Sequence, residues 1–240
     1  MADHRVDISV ILPIYNQADH VERIVSSLVA ALSHFKHTIE LLLVVNGNKD
    51  NSLECCRQIA RTHSQVHIIH LEIPGWGRAV RAGLAEARGN ILCYTNAART
   101  SPEVLALHIM LALANPGFAI KARRLLRYPL FRRLASVVYN IECRSLYNLS
   151  VWDVNGTPKV FSRDAYDLFN LRENGDLIDV EFILNCQANG IQILEVPIVS
   201  SERHGGESTT HFLSALKMYW GAIKMFRRFK NGLRNAQAST

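Results

Sequence analysis

Apolar positions in the first half of the chain follow two alternating rhythms. Unbroken runs, "ISVILPIY" over 8–15, "IELLLVVN" over 39–46, "QVHIIHL" over 65–71 and "GNILCYT" over 89–95, are separated by stretches with helical spacing. Short apolar runs bounded by turn residues read as strands buried on both faces. Between the first two, Val21, Ile24, Val25, Leu28, Leu32 and Phe35 recur every three or four residues, which predicts a helix over 19–35 with one apolar stripe. Further helices are predicted at 50–62 and 77–88. This alternation of strand and helix predicts a parallel sheet covered on both faces, with ligands beyond the carboxyl ends of its strands. Those ends are "PIYN", "NGNKD", the loop leading to Gly77, and "TNAART".

The second half is less regular. A helix is predicted over 130–149, with Leu130, Leu134, Val137, Val138 and Ile141 on one face. A short strand is expected at 158–162, a helix at 176–189 and a strand at 191–198. "SSERHGGESTT" is a polar loop, and 211–230 form an amphipathic helix with Phe212, Leu216, Tyr219, Ile223 and Phe226 on one face. No repeat or linker interrupts the pattern, so one domain is expected over 1–240.

Composition narrows the class. Of 240 residues, 48% are hydrophobic and 20% charged, which suits a packed domain. No apolar run reaches the ~18–20 residues of a membrane span; the longest, Val104 to Ala114, contains His108. The start, "MADHRVDISV", lacks the layout of a signal peptide, so a cytoplasmic location is expected. The cysteines, Cys55, Cys56, Cys93, Cys143 and Cys186, are odd in number and lack C-x-x-C spacing, which suggests neither a disulfide framework nor a zinc site.

The net charge of +6 is concentrated in two segments. Lys121, Arg123, Arg124, Arg127, Arg132, Arg133 and Arg144 form one; Lys217, Lys224, Arg227, Arg228, Lys230 and Arg234 form the other. Either an anionic partner meets this face or these are ordinary solvated helices. Nucleic acid is disfavoured as that partner, because no recognisable module or interleaved surface aromatics accompany the charge.

Six segments in order then carry a resemblance: "VILPIYNQADHVERIVSSL", "VVNGNKDNS", "PGWGRAVRAGLAEARGNIL", "DVNGTPKVFSRDAY", "DVEFILNCQANGIQILEVPI" and "ERHGGEST". From about Val6 to about Phe226 the chain resembles the family-two glycosyltransferases of the GT-A fold, particularly those that glycosylate polyprenyl phosphates. The resemblance implies a Rossmann-like α/β fold: a mixed, mostly parallel sheet flanked by helices, with amphipathic helices in the C-terminal half. It implies a nucleotide-binding half over 1–115, an acceptor half over 116–210 and a C-terminal helix and tail over 211–240. The implied reaction moves a sugar from a UDP- or GDP-linked donor to a polyprenyl phosphate or other glycan-pathway acceptor.

In that family an acid after the second strand contacts the base, and an Asp-x-Asp motif after the fourth holds a divalent cation on the diphosphate. This chain departs at both places. Asn46 stands after the second strand, with no acid before Asp50; Asn96 and Ala98, or Thr95 and Ala97 in the alternative register, replace the two aspartates. Mg or Mn would therefore lack its carboxylate ligands, and no metal-ligating residue is assigned. Two readings follow. Arg78 and Arg99 neutralise the diphosphate in an enzyme without a tightly held metal, or the chain is an inactive nucleotide-sugar-binding or scaffold subunit of a glycan assembly complex.

By the same resemblance, Pro13, Tyr15, Asn16, Asn46, Asp50, Gly77, Arg78, Asn96 and Arg99 belong to the nucleotide side. Asn155, Lys159 and Ser208 belong to the acceptor side, with Asp153 near the sugar. Asp179 is the first choice for the reaction centre and Glu181 the second, since residues two apart on a helix cannot share a face. A lipid phosphate, with its second pKa near ~6, is already ionised and needs cations rather than a base; Arg203 and the first basic cluster would supply them. Leu130, Phe131, Phe212, Trp220 and Phe226 are candidates for the membrane interface, or else pack on the core or a second subunit. Many relatives continue into transmembrane helices; for this chain peripheral contact with the inner membrane face is expected.

Overall fold

The computed structural model describes residues 6–126, 130–199, 219–224 and 226, with the side chains of 126 and 130–136 set aside. Among the described residues, strands and helices follow one another in the order β1 (Ile8–Ile14), α1 (Val21–Leu32), β2 (Ile39–Asn46), α2 (Ser52–Thr62), β3 (Val66–Leu71), α3 (Trp76–Glu86), β4 (Ile91–Tyr94), α4 (Pro102–Ala114), β5 (Ala119–Leu126), α5 (Leu130–Tyr147), β6 (Lys159–Ser162), α6 (Arg163–Asp167), α7 (Ile178–Ala188) and β7 (Ile193–Val199). One sheet carries all the strands in the order β3-β2-β1-β4-β6-β5-β7. β1 is parallel to β2 and β4, β2 to β3, and β5 to β7, whereas β6 is antiparallel to both β4 and β5. The sheet is thus mixed and mostly parallel, as the sequence led us to expect.

Burial explains the central strands. Every residue of β1 is buried, including Pro13. A proline in a central strand forfeits a ladder hydrogen bond, and the register shows how it is tolerated. β4 ends at Tyr94 opposite Ile11, while β1 and β2 run on through Pro13–Val44 and Ile14–Val45. Pro13 therefore pairs with β2 alone, and the sheet steps down beside it to open the cleft.

Helices α1, α2 and α4 cover one face of the sheet through Val25, Leu28, Cys56, Leu105 and Ile109. Helices α3, α5 and α7 cover the other through Val80, Leu84, Tyr139, Cys143, Ile178 and Phe182. At the amino end of the sheet, buried Glu40 accepts hydrogen bonds from Ser9 Oγ (2.6 Å), Arg88 N (2.8 Å) and the Arg88 guanidinium (2.6 and 2.9 Å). Burial alone would raise this carboxyl, but those bonds outweigh it and hold it below its ordinary range.

Three elements escaped the sequence pattern. The apolar stretch 104–114, weighed only as a membrane span, is α4, capped by Ser101 with Pro102 in its first turn. β5 runs through the first basic cluster, and α6 is a short turn capped by Ser162. The apolar face assigned to α5 also needs correction. Tyr139, Cys143 and Tyr147 face the core, while Val137, Val138 and Ile141 are exposed. Aromatic packing sets this register: Tyr139 meets Tyr219 edge-on at 5.8 Å and Tyr147 meets Phe226 at 5.6 Å. Phe226 is therefore turned inward, against the interfacial role considered for it, whereas Trp220 is exposed.

Candidate functional site

The residues assigned to the donor side gather at the carboxyl ends of β1, β2 and β4 and at the start of α3, and several are already hydrogen-bonded to the surrounding loops. Asn46 is buried; its amide nitrogen donates to Ile14 O (2.8 Å) and Val44 O (3.3 Å), and its oxygen accepts from Gly75 N (3.0 Å). An aspartate there would turn oxygen toward two carbonyls, so the departure from the family's acid has a structural cause. Asn16, at φ 49°, accepts from Lys49 N (2.9 Å), and Asn48 Oδ1 accepts from Asn16 N (3.2 Å). Asp50 accepts from Ala18 N and from Ser52 N and Oγ. Burial pushes its carboxyl up, but these bonds prevail and hold it below its usual range. Asp50 thus ties the two loops together and caps the entry to α2. Tyr15 is half-buried beside them.

Gly77 opens α3 beneath the segment 173–175, where a Cβ would lie 2.5 Å from Glu173 O and 2.7 Å from Gly175 O. Arg78 N donates to Asn174 O (3.0 Å), and Arg78 Nε is buried without a hydrogen-bond partner among the described residues. The segment is held in turn by Glu181, whose carboxylate accepts from Arg172 N and Glu173 N at 2.9–3.0 Å. Glu181 therefore faces a loop, on the opposite side of α7 from Asp179.

The turn after β4 is closed by its own bonds. Thr95 Oγ1 and Thr100 Oγ1 meet at 2.6 Å, and Asn96 Oδ1 accepts from Ala98 N (3.1 Å). Asn96 O accepts from Arg99 N and Thr100 N, and Ala97 and Ala98 are buried. A hard divalent cation requires several oxygen ligands. Here no carboxylate is offered, the one side-chain amide oxygen is already used, and no group of three His, Cys, Asp or Glu suited to a metal occurs among the described residues. The residues at this turn do not fit the family's metal site.

Asp179, at the start of α7, is buried, accepts from Tyr94 OH (3.0 Å) and is ion-paired with Lys159. Lys159 is wholly buried, which lowers its pKa against the opposing pull of Asp179. Lys159 thus lies inside the protein rather than on an open acceptor surface. Lys159 belongs to a row across four strands, because Tyr94 is in register with Lys159, Lys159 with Lys121, and Lys121 with Glu195.

The acceptor side is built on that row. Asp153 is buried, and its carboxylate grips Arg124 through the backbone N (3.0 Å), Nε (2.7 Å) and Nη2 (2.8 Å). Arg124 stays partly exposed, at 18% of its side chain, with Nη1 outside the fork. Gly156 lies so close to Ala122 O that a side chain could not fit. Asn155 Oδ1 is buried without a partner among the described residues. Trp152 is exposed, with the Arg144 guanidinium 4.0 Å and that of Arg123 5.2 Å from its ring centre. Of the first basic cluster, then, Lys121 is buried and three arginines are organised by an acid or an aromatic ring. Arg127 lies outside the described residues, as do Arg203, Ser208 and Phe212.

Sequence reasoning overlooked Tyr94, Trp152 and Glu195. Glu195 had a visible signal, an acid within an otherwise apolar strand, "ILEVPI". Tyr94 and Trp152 had none, since Tyr94 acts through cross-strand register and Trp152 through arginines of β5 and α5.

Similarity to known proteins agrees with this architecture. Two curated relatives are undecaprenyl-phosphate 4-deoxy-4-formamido-L-arabinose transferases. The one from Pseudomonas savastanoi pv. phaseolicola is 23% identical over 84% of this chain and 60% of its own length. The one from Proteus mirabilis is 22% identical over 90% of this chain and 66% of its own length. The chain thus spans 60–66% of the length of these relatives. Among solved structures, glucosyl-3-phosphoglycerate synthase from Mycobacterium tuberculosis, in complex with Mn2+, UDP and phosphoglyceric acid, superposes with a TM-score of 0.70 at 18% identity, covering 91% of this chain and 76% of that one. Residues 9–169 match the sequence profile of glycosyl transferase family 2. This chain belongs to glycosyl transferase family 2.

Proposed function

We propose that the protein is a glycosyltransferase that moves a sugar from a UDP- or GDP-linked donor to a polyprenyl phosphate or another glycan-pathway acceptor. The observation that carries this reading is the charge at the cleft. The turn after β4 has no carboxylate and carries Arg99, Arg78 lies in the first turn of α3, and Arg124 is set in a fork by Asp153. Two phosphate groups meet in such a reaction, the donor's departing diphosphate and the acceptor's attacking monoester, and guanidinium groups suit both. The names of the relatives support the acceptor class, and the UDP bound in the structural neighbour supports the donor class.

In this mechanism Arg78 and Arg99 neutralise the diphosphate as the anomeric carbon–oxygen bond breaks. The ionised acceptor phosphate, oriented by Arg124 from its fork with Asp153, attacks the anomeric carbon directly. Asp179, fixed by Tyr94 and Lys159, stands at the reaction centre beside the sugar. Where the acceptor is a lipid, the exposed Val137, Val138 and Ile141 of α5, with Trp152 and Arg144, meet the inner membrane face. No helix among the described residues is long and apolar enough to cross a membrane.

The test is transfer itself. Purified protein is incubated with radiolabelled UDP- and GDP-sugars and undecaprenyl phosphate in detergent. A labelled, acid-labile lipid product is the expected result; no product with any donor in a systematic screen overturns the reading. The missing carboxylates after β4 favour one alternative, a nucleotide-sugar-binding scaffold subunit, which would bind donor without turnover.

A further inference from the structure

Glu195 lies on β7 and has no part in the transfer itself, yet it holds the loop whose Asp153 grips Arg124. Its Oε1 accepts from Lys121 Nζ (2.7 Å) and Asp153 N (3.1 Å), and its Oε2 accepts from Trp152 N (2.7 Å). Lys121 Nζ, wholly buried, also donates to Asp153 O (2.5 Å) and Ala122 O (3.1 Å). The ammonium and the carboxylate thus bond each other, and between them they hold three backbone groups of the loop, Trp152 N, Asp153 N and Asp153 O, and tie it to Ala122 O of β5. A buried ion pair is weak evidence for stability, because well-packed apolar side chains often do as well. Here the pair sits where an apolar substitute could not receive two backbone amides, which points to a geometric purpose.

We propose that Glu195 and Lys121 are positioning residues that fix the 152–154 segment and, through Asp153, aim the Arg124 guanidinium at the acceptor phosphate. The proposal rests on the transferase reading for its consequence, though the clamp itself does not. Neither residue touches substrate. Their loss acts on acceptor use and spares the donor, since the donor side is built on β1, β2, β4 and α3.

The experiment uses three variants of the full chain: Glu195→Gln, Lys121→Met, and the double variant K121M/E195M, which removes both charges together. For E195Q, the expected result is an acceptor KM raised about tenfold with donor KM within about twofold. The double variant, free of the unpaired charge that K121M leaves buried, is expected to be more stable than K121M but to keep the raised acceptor KM. Recovery of wild-type acceptor KM together with stability overturns the proposal, because the pair would then be structural only. A second readout needs no turnover. With fluorotryptophan labelling, the three tryptophans give separate fluorine resonances, and Trp152→Phe assigns one of them. E195Q is expected to shift and broaden the Trp152 signal while leaving Trp76 and Trp220 unmoved; an unchanged Trp152 signal overturns the clamp. Failure of the wild-type protein to transfer any sugar would sink the transferase reading alone, and the fluorine spectrum would still decide the clamp.

Discussion

Single residues in this cleft have been recruited to hold backbone. Asn46 stands where the family uses an acid, and its amide donates to Ile14 O and Val44 O. Asn46→Asp would set a carboxylate against those carbonyls, so the variant is expected to lose about 1–3 kcal/mol of stability in urea unfolding. A variant as stable as the wild type would contradict this role. Lys159 illustrates the same principle with charge. Lys159→Met leaves Asp179 buried without its cation, a change that typically costs about 3–5 kcal/mol; combining it with Asp179→Asn should recover most of that loss. The family resemblance brought Asn46, Asp153, Lys159 and Asp179 into the candidate site. What each one does was not legible, because a hydrogen-bond partner 20 to 32 residues away leaves no local pattern. Asp153 is the clearest case: the sequence suggested a sugar contact, and the fold gives it to Arg124.

At the scale of elements, legibility followed hydrophobic rhythm. β1 to β4 were visible because both faces of each are buried, and unbroken apolar runs say so. α4 was hidden because it is apolar nearly all round, with Leu107 and Met110 exposed, and so shows no helical period. β5 was hidden because Lys121, Arg123 and Arg124 resemble a solvated surface. Only cross-strand register shows Lys121 pointing inward at Lys159 and Glu195. On α5 the larger aromatic stripe won the core, leaving Val137, Val138 and Ile141 outside. If this face meets lipid, Val138→Glu with Ile141→Glu should abolish co-sedimentation with vesicles rich in anionic phospholipid while leaving the fold intact. Sedimentation equal to that of the wild type would exclude the face as the contact.

For the whole molecule, buried ionisable groups set the response to alkali. The thiols of Cys56, Cys143 and Cys186 are pushed up to about 12 by burial, from an ordinary value of 9.0. In the unfolded chain they ionise first, so the stability they confer is complete below pH 9 and is lost as pH rises toward 12. Lys121 works in the opposite sense. Burial pulls it down to about 8 from 10.5, despite Glu195, so its term strengthens the fold between those values. Lys159 is also lowered by burial and acts with Lys121, but the thiols outnumber the two amines, each group contributing about 1.4 kcal/mol per pH unit once engaged. Urea midpoints measured from pH 8 to 11 should therefore fall above pH 9, and Cys143→Ala should make the fall shallower. A flat profile would show that the thiols are not sealed from water.

We propose that the turn after β4 receives a sugar diphosphate through arginine rather than through a carboxylate-held cation. Calorimetric titration of UDP- and GDP-sugars, in EDTA and again with Mn2+, tests it most directly. The account predicts binding that survives chelation and is weakened at least about tenfold by Arg99→Ala. Binding that appears only with metal and is indifferent to Arg99→Ala would contradict it.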